Sequence, residues 1–270
     1  RINSKLVRRG SMRALVTGGA IRLGREISLY LGKNGFDVAV HYSGSMNAAR
    51  DTVSDIEKMG RRSISLQADF LDERQTKDLI AQSADALGGD LTLLVNNASI
   101  FERDTIETAT RTSWDRHIES NLRAPFVLIQ EFSKQAPNIK LDAMGEPEAQ
   151  ALVINMLDQR VRKLTPDFMS YTLAKMGLWA LTQTAARALA PKIRVNAIGP
   201  GPTVQGVRQS SQHFSRQRAE TILTRGSNAE DITAALGYFL QASAVTGQLL
   251  CVDGGQHLAW QTPDVLGLEA

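Results

Sequence analysis

The run Arg13-Ala-Leu-Val-Thr17-Gly-Gly-Ala-Ile-Arg-Leu-Gly24 decides the fold. Arg13 to Thr17 reads as a short apolar strand, and the glycines after it as a tight turn that opens a helix. The N-terminus of such a helix offers unpaired amides and a positive dipole end, a natural seat for a pyrophosphate. A glycine turn alone is weak evidence. Its position after the first strand of a βαβ unit points to a dinucleotide site at Gly18, Arg22, Leu23 and Gly24.

Outward from that turn, short apolar runs alternate with longer amphipathic ones. Strands are expected at Arg13 to Thr17, Asp37 to Tyr42, Arg62 to Gln67, Leu91 to Asn96, Ala151 to Leu157, Ile193 to Ile198 and Leu249 to Val252. They are continuous rather than alternating, as in a sheet covered on both faces. Helices are expected at Leu23 to Asn34, Met46 to Met59, Asp72 to Ala86, Thr112 to Ala136, Tyr171 to Leu189 and Asn228 to Leu240, with Gly35 and Gly60 where C-caps belong. The fold class is therefore α/β: a doubly wound parallel sheet of about seven strands with helices on both faces and ligands at its carboxyl edge. Gln135 to Gln150 breaks the rhythm as an excursion, and the polar stretch over about 203–228 reads as a mobile substrate lid.

Composition bounds the function. The 270 residues are 43% hydrophobic and 22% charged, which fits one globular domain with no membrane span. Leu6-Val-Arg-Arg-Gly-Ser-Met12 reads as a protease-cleavable expression tag, leaving 12–270 as a single domain. Four of the 31 basic residues and none of the 28 acids lie in residues 1–11, so the formal charge of +3 becomes about −1 without them. No basic footprint for nucleic acid remains. The single Cys251 and the absence of a signal peptide point to the reducing cytoplasm. His117, His213 and His257 lack metal-ligand spacing, so no metal is expected.

Chemistry gathers at the strand ends. Tyr171 and Lys175 stand four apart, on one helix face, where an ammonium can stabilise a phenolate. Asp158 stands thirteen residues before Tyr171, at a strand end, where a charged carboxylate would oppose that phenolate. The second strand ends in His41-Tyr42-Ser43-Gly44-Ser45 without the acid expected of an NAD site. Its hydroxyls, the histidine and nearby Arg22 suit a 2′-phosphate, favouring NADPH. Asp69, after the third strand, is placed to meet an adenine amino group or to cap the next helix.

Taken together, Thr17-Gly with Gly24, Asn96-Asn-Ala98, Asn121, Tyr171-x-x-x-Lys175, Pro200-Gly201 and Asp253-Gly-Gly255 resemble the classical short-chain dehydrogenase/reductase pattern over nearly the whole chain from Met12. The resemblance implies one Rossmann-like domain, hydride transfer with NADPH/NADP, and a homotetramer or dimer. It also implies cofactor contacts from Phe70, Asn97, Ala98, Ser99, Pro200, Gly201 and Thr203, besides Tyr171 and Lys175.

Two departures narrow it. Arg22 replaces the usual middle glycine and Asp158 the usual serine, as in pteridine reductases and dihydromonapterin reductases; Asn97-Ala-Ser-Ile-Phe101 and Asn155-Met-Leu-Asp158 are similar to the same group. That resemblance implies a pterin as the small-molecule substrate, with Phe101 stacked on its ring and Ser99 and Arg22 holding pterin and cofactor phosphate. The expected reaction is hydride addition to a C=N bond, with Asp158 as proton donor, Tyr171 donating or relaying, Lys175 on the nicotinamide ribose and Asn121 supporting a water chain. The rival is a carbonyl reductase of the same family acting on a 3-oxoacyl thioester or a sugar, against which Asp158 would repel a developing oxyanion. A catalytically silent NADP-binding regulator is opposed by the intact Tyr171, Lys175 and Asn121.

Overall fold

The computed structural model describes residues 12–205 and 209–262; the tag expectation for 1–11 lies outside them. Seven strands form one parallel sheet, β1 (Met12–Val16), β2 (Phe36–Tyr42), β3 (Ser63–Gln67), β4 (Leu93–Asn96), β7 (Ala151–Met156), β8 (Ile193–Pro200) and β9 (Leu249–Val252), in the order β3-β2-β1-β4-β7-β8-β9. The chain steps outward to β3, returns past β1, and continues to the other side. The order therefore reverses between β1 and β4, and the crevice at their carboxyl ends is the expected ligand position.

Alternation sets which side each residue serves. Ala14, Val16, Val38, Val40, Val95 and Ile154 join one buried cluster, while Leu15, Ala39, Leu94, Val153 and Val195 join the other. Helices α1 (Arg22–Lys33), α2 (Met46–Lys58) and α8 (Ala229–Gln241) cover the first face; α3 (Glu73–Leu87), α5 (Ala124–Gln135) and α6 (Met169–Leu189) cover the second. Phe132 and Phe239 are fully buried, one in each cluster, and each such side chain contributes about 1.5–3 kcal/mol of transfer free energy. Between β4 and β7 the buried amides of Asn96 and Asn155 pair at 2.8 Å, and Asn155 donates onward to Thr182 at 2.9 Å.

Three segments differ from the sequence expectation. The helix expected over Thr112 to Ala136 is α4 (Arg111–Ile118), a π turn at Glu119–Arg123, and α5. Pro125 supplies a reason: it has no amide to return to the carbonyl four residues back, at Asn121. The excursion after α5 holds a two-residue hairpin, β5 (Lys140–Leu141) against β6 (Pro147–Glu148). The lid stretch contains a helix, α7 (Ser211–Ala219), capped by Ser210, while 206–208 lie outside the described residues. Arg218 ties α7 down by donating to Pro202 O at 2.7 Å and Ser227 O at 2.6 Å.

Candidate active site

The glycine turn closes because three chain segments approach where only glycine fits. Gly18 has φ +59°, and a Cβ there would press on Ala98 Cα at 3.0 Å. A Cβ on Gly24 would run into the Gly18 carbonyl and stand 2.6 Å from Asn97 Nδ2. Thr17 Oγ1 accepts the amides of Asn97 and Ala98 at 2.9 and 3.0 Å, and Asn97 Nδ2 donates to Thr17 O at 2.9 Å. Ile21 gives α1 no side-chain cap, so its opening amides have no such partner. A cavity of about 470 Å³ lies above them, lined by Gly18, Arg22, Leu23, Gly24, His41 to Ser45, Asn97 to Ser99, Pro200, Gly201 and Thr203. These are most of the residues expected around a dinucleotide.

Within that set the structure corrects several roles. The His41 ring is spent on the protein: Nδ1 accepts Gly18 N–H at 3.0 Å and Nε2 donates to Ala68 O at 3.1 Å. Burial pushes its pKa down to about 4, so it braces the turn as a neutral ring and offers no cation to a phosphate. Phe70 is buried and stacks flat on His41 at 4.3 Å, and so belongs to the core under the site. Asp69 stays exposed, with Oδ1 accepting Leu71 N–H at 3.0 Å; the cap of α3 is Asp72. Tyr42 is buried, leaving Ser43 and Ser45 as the hydroxyls on the cavity rim. Arg22, held at φ +52°, donates to Val204 O and Gln205 O at 3.2 and 3.1 Å, linking the turn to the start of the lid.

The catalytic candidates converge beside this cavity. Asp158 follows β7 and caps a 3₁₀ turn, its Oδ1 accepting Arg160 N–H at 2.8 Å. Its Oδ2 accepts the Tyr171 hydroxyl at 3.0 Å, so capping and a link to the phenol are carried by one carboxyl. Tyr171 and Lys175 share one face of α6, both buried, with Lys175 Nζ 5.7 Å from the phenol ring and donating to Met156 O at 2.8 Å. Burial, then the Asp158 carboxylate, push the Tyr171 phenol well above its usual range, against weaker pulls from Arg160 and Ser99. The expected lowering by Lys175 does not prevail. Burial brings Lys175 itself down to about 8. Asn121, in the π turn, uses both ends of its amide on the Ile100 backbone at 2.8 Å each, bracing the loop before Phe101. One N–H and one oxygen lone pair of the amide are thereby committed to the loop, and the second of each is left for a water.

Phe101 is 53% exposed, stands edge-on to Tyr171 at 4.7 Å, and stacks face to face on Phe168 at 4.3 Å. Phe168 is an addition to the expected set. It precedes α6 in a left-handed conformation, φ +60°, and Arg160 lies 5.0 Å over its ring. Its only signal in the sequence is its place three residues before Tyr171, on the same side of the helix start. Among the described residues no cluster of metal-ligating side chains occurs, and no helix is long and apolar enough to cross a membrane.

Comparison with known proteins is consistent with this arrangement. The family described as enoyl-(acyl carrier protein) reductase matches residues 19–257. The 3-oxoacyl-(acyl-carrier-protein) reductase FabG of Staphylococcus epidermidis is 32% identical over 250 residues, covering 91% of this chain and 98% of the relative. The solved structure of FolM, alternative dihydrofolate reductase 1, from Brucella suis in complex with NADP is 40% identical, with TM-score 0.87, covering 94% of this chain and 98% of that one. A short chain dehydrogenase from Burkholderia cenocepacia in complex with NADP is 29% identical, with TM-score 0.82, covering 92% and 98%.

Proposed function

Since the chain belongs to the short-chain dehydrogenase/reductase family, we propose that it is an NADPH-dependent reductase of a C=N bond in a pterin. The observation that carries this reading is the carboxyl of Asp158 hydrogen-bonded to the Tyr171 phenol at 3.0 Å. A C=N reduction needs a proton at the ring nitrogen as hydride reaches the neighbouring carbon, and a carboxyl can deliver it. The exposed ring of Phe101, edge-on to the same phenol, is an apolar platform for a flat heterocycle. The FolM structures, solved with NADP, support both cofactor and substrate class.

The residues fit the cofactor. The closed glycine cradle, the uncapped start of α1 and the cavity above them suit a pyrophosphate-linked dinucleotide. Gly18 to Gly24, Asn97 to Ser99 and Pro200 to Thr203 would hold it, with Lys175 on the nicotinamide ribose. The bound reduced nicotinamide supplies the hydride. Asp158 gives its proton to the ring nitrogen, and the Tyr171 hydroxyl, already aimed at Oδ2, relays a replacement from solvent, taking up one proton as it passes one on. By family likeness the enzyme works as a homotetramer or dimer.

The second reading, reduction of a 3-oxoacyl thioester, is favoured by the 32% identity to FabG. Against it, Asp158 stands where the family usually carries a serine hydroxyl, and whenever its carboxyl is charged it opposes an oxyanion there. NADPH oxidation with dihydrobiopterin, with dihydromonapterin and with an acetoacetyl thioester separates them: turnover on a pterin supports the first reading, and turnover on the thioester alone overturns it.

A further inference from the structure

Behind Tyr171 lies a polar cluster that the proposed chemistry does not use. Asp104, His117 and Ser170 are all buried, with 3% exposure or less. His117 comes from α4, Ser170 from the first turn of α6, and Asp104 from the loop that carries Phe101. Buried polar groups are costly unless paired, and here the pairing is complete enough to assign protons. Glu102 N–H donates to His117 Nε2 at 3.2 Å, so Nε2 is the acceptor. The proton of the neutral ring is then on Nδ1, which donates to Ser170 Oγ at 2.7 Å. Ser170 in turn donates its hydroxyl to Asp104 Oδ2 in a short contact and its amide to Oδ1 at 3.1 Å. Ser113 of α4 also donates to Asp104 Oδ2, at 3.0 Å.

The cluster joins the loop of Phe101 and Glu102 to the helix start that presents Phe168 and Tyr171. We infer that His117, Ser170 and Asp104 form a positioning relay that holds Phe101 against Tyr171, and that it holds only while His117 is neutral with its proton on Nδ1. A second proton would go to Nε2 and face the Glu102 amide donor to donor. Glu102 would have to withdraw, and Phe101, its chain neighbour, would move with it.

The groups facing His117 are the Asp104 and Glu102 carboxylates on the loop, Arg116 on its own helix, and from α6 the Ser170 hydroxyl and the Tyr171 ring at 6.0 Å. Burial lowers the His117 pKa, and Asp104 and Glu102 only partly offset it. The neutral ring is thus the resting form near pH 7, and protonation belongs to more acidic solution.

The kinetic consequence rests on the proposed pterin reaction; the structural one does not. In the wild type, KM for dihydrobiopterin is expected to rise about tenfold once His117 is protonated in acid, the factor that about 1.4 kcal/mol corresponds to, while kcat does not follow it. His117→Gln keeps an acceptor and a donor but cannot gain a proton, so its KM is expected to stay flat. The deciding measurement is NMR of the wild-type protein with ¹⁵N-labelled histidine and backbone. The Nδ1–H tautomer at pH 7.5, with the Glu102 amide shifting as His117 protonates, supports the relay. An Nε2–H tautomer, or a Glu102 amide indifferent to that protonation, overturns it. If no pterin is reduced, the proposed function fails while the NMR result still decides the relay.

Discussion

The Tyr171 hydroxyl and the Asp158 carboxyl, thirteen residues apart in the chain, meet in one hydrogen bond of 3.0 Å. A phenol raised well above its usual range is a poor acid by itself. The pair is therefore the proton source, and one proton must be loaded on it before each hydride transfer. Asp158→Asn and Tyr171→Phe should each lose about 100-fold or more in kcat for dihydrobiopterin. The check is kcat and kcat/KM from pH 5 to 9; wild-type rates for Asp158→Asn across that range would exclude the carboxyl as donor.

Lys175 is buried at a cost. Its pKa is about 8 in the folded chain against 10.5 for an ordinary lysine. Between those values the unfolded chain binds more protons, so stability rises with pH across that window, and the cost is fully present below about pH 8. Lys175→Met should therefore stabilise the fold at pH 7, by about 1 to 3 kcal/mol, and by less above pH 9. The same variant should lose turnover. Urea unfolding at both pH values decides it: a destabilised variant at pH 7 would contradict the burial argument.

His41 predicts an acid-labile glycine turn. Its pKa is about 4 when folded and 6.5 when free, so the unfolded chain takes up the proton first. Stability is expected to fall as pH drops from 6.5 toward 4, by up to about 3 kcal/mol. His41→Asn cannot titrate, and although less stable at pH 7 it should show a shallower acid slope. Thermal melts at pH 7, 6 and 5 give the slopes; parallel lines for the two proteins would refute the assignment.

Gly24→Ala places a methyl group where the Gly18 carbonyl and Asn97 already stand. Backbone must shift, so a loss of at least about 2 kcal/mol is expected, together with a large rise in the NADPH dissociation constant measured by fluorescence. Unchanged binding would mean that the cavity above the turn is not the cofactor cradle.

Phe101→Leu keeps an apolar side chain and removes the aromatic face. Stacking is worth about 0.5–1.5 kcal/mol beyond area, so KM for a pterin should rise about threefold to tenfold with NADPH affinity unaffected. Equal KM values in the two proteins would remove Phe101 from the substrate site.

Much of the framework is legible in the sequence because burial on two faces writes itself as continuous apolar runs. All seven strands of the sheet fall where such runs do, Leu93–Asn96 and Ala151–Met156 among them. Helix α7 is invisible for the opposite reason: it buries none of its residues, so no stripe marks it. The π turn is hidden because no proline or glycine stands within it, and only Pro125 just beyond it hints at it. Motif spacing locates Tyr171, Lys175 and Asp158, yet it does not say which way a ring at a strand end turns. His41 therefore looks like a phosphate ligand until its two nitrogens are seen bonded to Gly18 and Ala68. Phe168 meets Phe101 across 67 residues of chain, a contact that only the fold brings about.

The π turn at Glu119–Arg123 acts as a phase shift. An α-helix advances about 100° per residue, so the wider turn changes the angular setting of α5 relative to α4. Because of it His117 can face α6 while Phe132 faces the sheet, and Asn121 can reach Ile100. Deleting one residue there would make the helix more regular and the protein worse, since one of the two faces would then point the wrong way. The length of this segment is thus constrained as tightly as its composition, and irregularity is what the site requires of it.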